Sequence, residues 1–101
     1  MAVAVILENQ GTQEDYEALG RELGVMETPP AGNLMHLALQ TETGVRLVEV
    51  WESREAFDAF VRDRLRPARA RLGARPPDDS TPPPQVYPVI YFTGSTGGSD
   101  H

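Results

Sequence analysis

The chain has 101 residues, which is enough for one small domain with a modest core. Its 15 acidic residues outnumber 9 basic ones and give a net charge of -6, which opposes the phosphate neutralisation on which nucleic-acid binding depends. It contains no cysteine, so neither disulfides nor thiolate metal sites are expected, and the composition fits a reducing compartment. We therefore predict a cytoplasmic protein that does not bind nucleic acid.

The N-terminal part predicts a strand followed by a helix. Residues 2–8 form an apolar run rich in Val, typical of a strand buried on both faces. The run has no basic flank and ends at Glu8, so it is too short for a membrane span or a secretory signal, and no membrane partner is expected. Thr12 is a favourable helix N-cap, and apolar residues including Tyr16 recur at helical spacing until Gly24 ends the helix.

Two strand-like runs, residues 34–41 and 45–51, flank a short polar stretch that predicts a hairpin. We expect a register in which His36 lies opposite Trp51 and Ala38 lies opposite Glu49, because it sorts the side chains into a wholly apolar face and a mixed face. The sequence leaves open which face the helices cover. The mixed face places an imidazole, a carboxylate, an amide and an indole among aliphatic side chains: Leu34, His36, Ala38, Gln40, Leu47, Glu49 and Trp51.

A second helix begins after the N-cap Ser53 and has an apolar face that includes Phe57. Pro67 lacks an amide proton, so we expect a kink or a break in the helix at that point. Six of the nine arginines lie within residues 62–75, where they form either a solvated helix face or a clamp for an anion or substrate. A proline-rich connector, residues 75–84, follows.

The C-terminal part predicts one more strand, over residues 85–93, and Pro88 places this strand at a sheet edge or at a bulge. Residues 94–101 are rich in Gly and Ser and are expected to form a disordered tail. The sequence thus predicts a single domain over residues 1–93.

The predicted element order is β-α-β-β-α-β, which indicates the α+β class and a ferredoxin-like fold. Such a fold has a four-stranded antiparallel sheet with both helices on one face. The other face stays bare, yet the first and last strands carry apolar residues on both sides. Because a monomer would expose an unusually large apolar surface, we predict a homodimer joined sheet to sheet.

The mixed face has the composition of a small-molecule pocket, in which apolar walls surround a few polar groups. His36 is suited to moving a proton near neutral pH and Glu49 is suited to pairing with it, so these two are the candidate catalytic residues. Each also fits a structural role, either packed in the core or exposed at the surface. The candidate substrate-binding residues, which equally fit packing roles, are Trp51, Tyr16, Gln40, Tyr87 and Phe57.

The sequence predicts neither a metal site nor a bound cofactor. Its two histidines, His36 and the terminal His101, do not have the spacing of metal ligands. The glycines near the C-terminus precede no helix that could bind a phosphate. Helix capping fully explains Ser53, so we do not expect it to act as a nucleophile.

Residues 50–57, which read VWESREAF, resemble the strand-to-helix passage of the antibiotic biosynthesis monooxygenase family, and the element order over residues 2–93 is similar to that of the family. The resemblance implies a dimeric α+β barrel in which Trp51 lines a pocket between the sheet and the helices. Haem-degrading members of the superfamily carry a histidine ligand on the second helix. The matching residues 65–70 contain none, so haem degradation is not implied.

The resemblance also implies activity on a small hydrophobic or aromatic metabolite without a cofactor. The first hypothesis is oxygenation of a phenolic or polyketide-like secondary metabolite, with His36 as the base and Trp51 as a stacking wall. The second is a cyclase, isomerase or dehydratase that acts on a reactive biosynthetic intermediate. The third is a dimer that binds a hydrophobic metabolite without catalysis, because His36 and Glu49 are the only ionisable groups on the mixed face.

Overall fold

The computed structural model describes residues 1–8, 10–74 and 82–93 of the chain. Helices and strands follow the predicted order: β1 (Val3–Leu7), α1 (Gln13–Leu23), β2 (Asn33–Thr41), β3 (Gly44–Trp51), α2 (Arg54–Phe60), a π-helical segment (Val61–Leu65), α3 (Arg66–Arg71) and β4 (Gln85–Pro88). The strands form one four-stranded antiparallel sheet in the order β2-β3-β1-β4. For the described residues, the predicted ferredoxin-like α+β fold is confirmed.

Helix α1 is fixed at both ends by residues that the sequence indicated. The Thr12 hydroxyl accepts a hydrogen bond from the Asp15 amide at 3.0 Å, and the Asp15 carboxylate accepts one from the Thr12 amide at 3.0 Å. Gly24 adopts the left-handed conformation, with φ of 68°, and ends the helix. These caps satisfy otherwise free backbone groups and hold Tyr16, near the N-terminal end of α1, in position.

The hairpin between β2 and β3 turns through two residues, so that Thr41 pairs with Gly44. The Thr41 hydroxyl donates to the Gly44 carbonyl oxygen at 2.7 Å and closes the turn. At the other end of the hairpin, an irregularity between Asn33 and Met35 brings Asn33 opposite Trp51.

This turn sets a register different from the predicted one. His36 lies opposite Glu49, and Ala38 lies opposite Leu47. The predictions that paired His36 with Trp51 and Ala38 with Glu49 are therefore wrong, because the turn closes two residues earlier along the partner strand. Since side chains alternate with a period of two, this shift leaves the residues from Met35 to Gln40 on their predicted faces, whereas the irregularity interrupts the alternation at Leu34.

The mixed face of the sheet meets the helices and forms the core. Trp51 is 1% exposed, and its ring lies 5.8 Å from that of Phe57 and 5.3 Å from that of Phe60, between centroids. Val3 and Val5 of β1 lie opposite Trp51 and Glu49 and complete the buried cluster. Full burial of an apolar side chain of this kind typically contributes about 1.5–3 kcal/mol, so this cluster accounts for much of the stability of a small domain.

The second helical region changes its geometry at the π-helical segment, between α2 and α3. Pro67 lies in the first turn of α3, where its missing amide proton costs little. The chain stays helical from Arg54 to Arg71, and its irregular part is Val61–Leu65, before the proline, so the break predicted at Pro67 does not lie at that residue. In the described part of the chain, no helix is long and apolar enough to span a membrane.

Strand β4 lies at a sheet edge, as predicted, but it ends at Pro88 and is shorter than the predicted 85–93. Pro88 has no amide proton to donate. The amide of the next residue, Val89, donates a hydrogen bond of 3.0 Å to the carbonyl oxygen of Ala2, just before β1. The predicted connector (75–84) and tail (94–101) lie mostly or entirely outside the described residues.

The face of the sheet turned away from the helices is apolar and exposed in the single chain. Leu37 and Leu39 of β2 are 46% and 38% exposed, and Tyr87 of β4 is 52% exposed. Tyr87 lies opposite Ala4 of β1, and Leu37 lies opposite Val48 of β3. This surface is the bare face that the sequence predicted.

Candidate acid–base site

Glu49 is a buried carboxylate at the centre of the sheet. It lies on β3, on the face that meets the helices, and its side chain is 6% exposed. Its Oε1 atom accepts a hydrogen bond of 2.9 Å from the indole Nε1–H of Trp51, two residues along the same strand. Burying a charge is costly unless hydrogen bonds compensate for the lost water, so the environment of this group must supply donors.

His36 supplies the second donor to this carboxylate. Because His36 lies opposite Glu49 across the β2–β3 pair, its Nδ1 atom comes within 2.8 Å of Glu49 Oε2. An ionised carboxylate only accepts hydrogen bonds, so in the neutral imidazole the proton lies on Nδ1 and Nε2 is left as the acceptor. The His36 side chain is 39% exposed, which makes it the solvent-facing partner of a buried carboxylate.

Tyr16 of α1 completes the arrangement. Its hydroxyl oxygen lies 2.6 Å from His36 Nε2, and the two rings are nearly parallel, with an angle of 9° between their planes. Burial raises the pKa of the Tyr16 phenol, and the Glu49 carboxylate raises it further. The phenol therefore stays protonated near neutral pH and donates its proton to Nε2.

The four side chains form one continuous hydrogen-bonded chain in the order Tyr16, His36, Glu49 and Trp51. When an acidic group next to the Tyr16 oxygen gives its proton to that oxygen, the phenol passes its own proton to Nε2 of His36. Glu49 then stabilises the resulting imidazolium. This is the logic of a base that is oriented and charge-balanced by a buried carboxylate, so the arrangement is suited to proton transfer.

The other predicted site residues do not take part in this series of hydrogen bonds. Phe57 packs edge-on against Trp51 and is buried. Gln40 lies on the same face as His36 but near the hairpin turn, where its amide donates to the Thr41 carbonyl oxygen at 2.9 Å. Tyr87 lies on the opposite face of the sheet, so within one chain it does not share a site with His36.

Trp51 itself is buried against Phe57 and Phe60. A cleft of about 290 Å³ does lie nearby, on the far side of Phe60, whose ring contacts Trp51. Phe60 lines this cleft, and Trp51 does not. The cleft is formed by the loop before β2, by α2 and by the π-helical segment; it is lined by Ala31, Gly32, Glu52, Ala56, Ala59, Phe60, Asp63 and Arg64.

This cleft was not predicted from the sequence. The spacing of Ala56, Ala59 and Phe60 is a helical stripe with small residues, which was a usable signal for open space on that face. The π-helical geometry that places Arg64 at the cleft had no signal in the sequence. The Arg64 guanidinium lies 5.9 Å from the centroid of the Phe60 ring, over its face.

The arginine-rich stretch is partly engaged in holding the helices together. Arg64 Nη2 donates to the carbonyl oxygen of Leu23, near the end of α1, at 2.9 Å. Arg69 Nη2 donates to Gln10 Oε1 at 2.8 Å, and burial lowers the pKa of the Arg69 guanidinium. These two arginines are thus bound by groups of the protein itself. Among residues 1–8, 10–74 and 82–93, no three His, Cys, Asp or Glu side chains group as metal ligands would.

The sequence matches no protein-family model and no curated protein. The structure is similar to a protein of Chloroflexus aurantiacus J-10-fl provisionally named an antibiotic biosynthesis monooxygenase, with a TM-score of 0.64 and 19% identity, covering 93% of this chain and 98% of that one. It is also similar to Rv0793 of Mycobacterium tuberculosis, with a TM-score of 0.59 and 18% identity over 93% and 100% of the two chains. A third similar structure is NE2512 of Nitrosomonas europaea, a protein of unknown function, with a TM-score of 0.50 and 13% identity over 93% of this chain and 90% of that one. At these identities the similarity establishes the fold alone.

Proposed function

We propose that this protein is a small-molecule enzyme whose central step is proton abstraction from a phenol or enol. The observation that carries the proposal is the chain from Tyr16 through His36 to the buried Glu49, with contacts of 2.6 and 2.8 Å. A buried carboxylate behind an exposed imidazole is an arrangement that enzymes use to keep a base oriented. The shared fold with a protein provisionally named a monooxygenase is consistent with this reaction class.

In the proposed reaction, the hydroxyl of the substrate approaches the Tyr16 oxygen. The Tyr16 proton moves to His36 Nε2 while the substrate proton moves to Tyr16, which leaves a substrate anion, a neutral phenol and an imidazolium. The anion donates electrons to dioxygen, a C–O bond forms, and the proton on His36 returns to give a hydroperoxide. Loss of water from a carbon that carries both hydrogen and the hydroperoxide gives a carbonyl, so that dioxygen is the oxidant and no metal or flavin takes part.

The same proton transfer also serves a cyclisation, isomerisation or dehydration in which no oxygen is consumed. For these reactions the imidazolium of His36, formed with its charge balanced by Glu49, returns its proton at a different atom of the substrate. Oxygen uptake therefore separates the two reaction types, while His36 is required in both.

The cleft beside Phe60 supports a second candidate function, which is binding of a small hydrophobic metabolite without catalysis. Its volume of about 290 Å³ lies near the lower limit of small-molecule pockets. Four of its eight lining residues are alanine or phenylalanine and three are charged, and none of the hydrogen-bonded residues Tyr16, His36 and Glu49 lines it.

The test compares three variants in one assay. A panel of naphthols, anthrones and related phenols is incubated with the protein, and oxygen uptake, product mass and ligand binding are measured. For the enzyme, His36→Ala lowers turnover by about 10²–10⁴-fold, while His101→Ala, which changes the only other histidine, is the matched control. For the binding protein, Ala59→Phe fills the cleft and abolishes binding, and His36→Ala leaves binding intact. Full turnover by His36→Ala would exclude the proposed mechanism.

We also propose that a second copy of the chain covers the bare face of the sheet. The exposed Leu37, Leu39 and Tyr87 on that face are the observation that supports this dimer. Apolar patches of this kind in soluble proteins commonly mark an interaction surface.

A further inference from the structure

Trp51 has an indole proton that serves a different purpose from the rest of its ring. The ring is packed in the core against Phe57 and Phe60, whereas Nε1–H points to Glu49 Oε1 at 2.9 Å. Packing explains why an aromatic residue is present, but it does not explain the donor, since phenylalanine would pack without one.

The two oxygens of Glu49 have one side-chain donor each among the described residues. Oε1 accepts from Trp51, and Oε2 is bonded to His36 Nδ1. No buried side-chain nitrogen or oxygen in the described ranges lacks a partner, so no unpaired buried side chain is available to replace either donor. Without the indole proton, Oε1 would be buried and unpaired, and the carboxylate would rotate to share Oε2 or to seek water.

The orientation of Glu49 in turn decides which nitrogen of His36 carries the proton. A carboxylate fixed with Oε2 towards Nδ1 keeps that nitrogen protonated and leaves Nε2 as the acceptor for Tyr16. If the carboxylate turns away, the imidazole no longer has a reason to prefer this tautomer. A proton on Nε2 would then block the transfer from Tyr16.

We propose that Trp51 is a positioning residue: its indole N–H holds Glu49 and thereby fixes the tautomer in which His36 acts as a base. The proposal rests on the proposed function only for its effect on turnover, because the tautomer can be measured by itself. It gives Trp51 a role distinct from the pocket wall that the sequence predicted, and Trp51 contacts no substrate in this role.

The chain contains a single tryptophan, which permits a test that changes one atom group. When the protein is produced with benzothienylalanine in place of tryptophan, only residue 51 changes. The new side chain has a two-ring system of nearly the same shape, with sulfur in place of the N–H group. The tautomer of His36 is then read from the ¹⁵N shifts of its ring nitrogens, with one other histidine, His101, in the spectrum. We expect the Nδ1–H tautomer to lose its dominance and turnover to fall about 10- to 100-fold, which corresponds to the loss of one hydrogen bond to a charged group.

Phe57→Leu is the matched control, because Phe57 contacts the same indole but makes no hydrogen bond to Glu49. This variant should lower stability and leave the tautomer of His36 unchanged. If the benzothienyl protein keeps the Nδ1–H tautomer, the positioning role of Trp51 is overturned, even if His36→Ala is inactive. If the tautomer changes while His36→Ala keeps full turnover, the positioning role stands and the proposed reaction falls.

Discussion

His36 and Glu49 lie directly opposite each other on β2 and β3, and Nδ1 of the first is 2.8 Å from Oε2 of the second. The pair joins an imidazole that is 39% exposed to a carboxylate that is 6% exposed. A group that must exchange protons with a substrate needs access, while the group that orients it is most effective where water is excluded. The pair provides both, because His36 lies on the edge strand β2 and Glu49 on the internal strand β3.

Glu49→Gln should therefore destabilise the protein. The amide retains one acceptor for two donors, so one of the bonds to Trp51 and His36 is lost inside the core, at a cost of about 1–3 kcal/mol in the free energy of unfolding. The matched control is Glu8→Gln, which removes the charge from a carboxylate that pairs with Arg46 at 2.9 Å but is 32% exposed. Its cost should stay below about 1 kcal/mol. Urea unfolding near neutral pH measures both, and equal costs would show that Glu49 is not a constrained buried acceptor.

Tyr16→Phe should reduce the loss of stability in alkali. Burial raises the pKa of the Tyr16 phenol above its ordinary value of 10.0. As the pH rises past that value, the unfolded chain releases the phenolic proton before the folded chain does, so unfolding is favoured. The wild type therefore has this part of its stability below pH 10 and loses it progressively above that pH. Urea midpoints measured from pH 8 to 11 should fall more steeply for the wild type than for the variant, and parallel curves would contradict the shift.

How far the sequence could predict this site is clear from Trp51 and Tyr87. The alternation of side chains placed Trp51, Glu49 and His36 on one face, because a period of two is insensitive to an even shift in register. The actual partners depended on whether the turn closes at Thr41, and the sequence of the turn does not settle that. Hence the pairing of His36 with Glu49 was named as a possibility, but their direct opposition across the two strands was not predicted.

Tyr87 shows a second limit of the sequence. Its strand is apolar on both faces, so periodicity could not indicate which side it occupies, and only the pairing with Ala4 places it on the bare face. The cleft was beyond prediction for a related reason. It is lined in part by the π-helical segment, whose geometry the helical periodicity of the sequence does not indicate.

Gly32→Ala should be more destabilising than Gly73→Ala. Both glycines have positive φ, 84° and 72°, so alanine is strained at either position by about 1–2 kcal/mol. At Gly32 the new Cβ would also lie 2.7 Å from Cβ of Ala56, whereas at Gly73 nothing lies within 4 Å. We expect an additional cost of about 1–3 kcal/mol at Gly32 from this overpacking. Thermal unfolding of the two variants gives the difference directly, and similar melting temperatures would mean that the loop moves away from α2 at little cost.

Leu37→Lys should convert the proposed dimer into a monomer. Leu37 is 46% exposed on the bare face, so a lysine there is harmless in the single chain but would be buried without a partner between two sheets. We expect dimerisation to weaken by at least about 100-fold, as loss of a few kcal/mol implies. Leu72→Lys is the control, because Leu72 is 45% exposed and follows α3, away from the sheet. Analytical ultracentrifugation at micromolar concentration distinguishes the two variants, and a wild-type monomer under these conditions would rule out the dimer altogether.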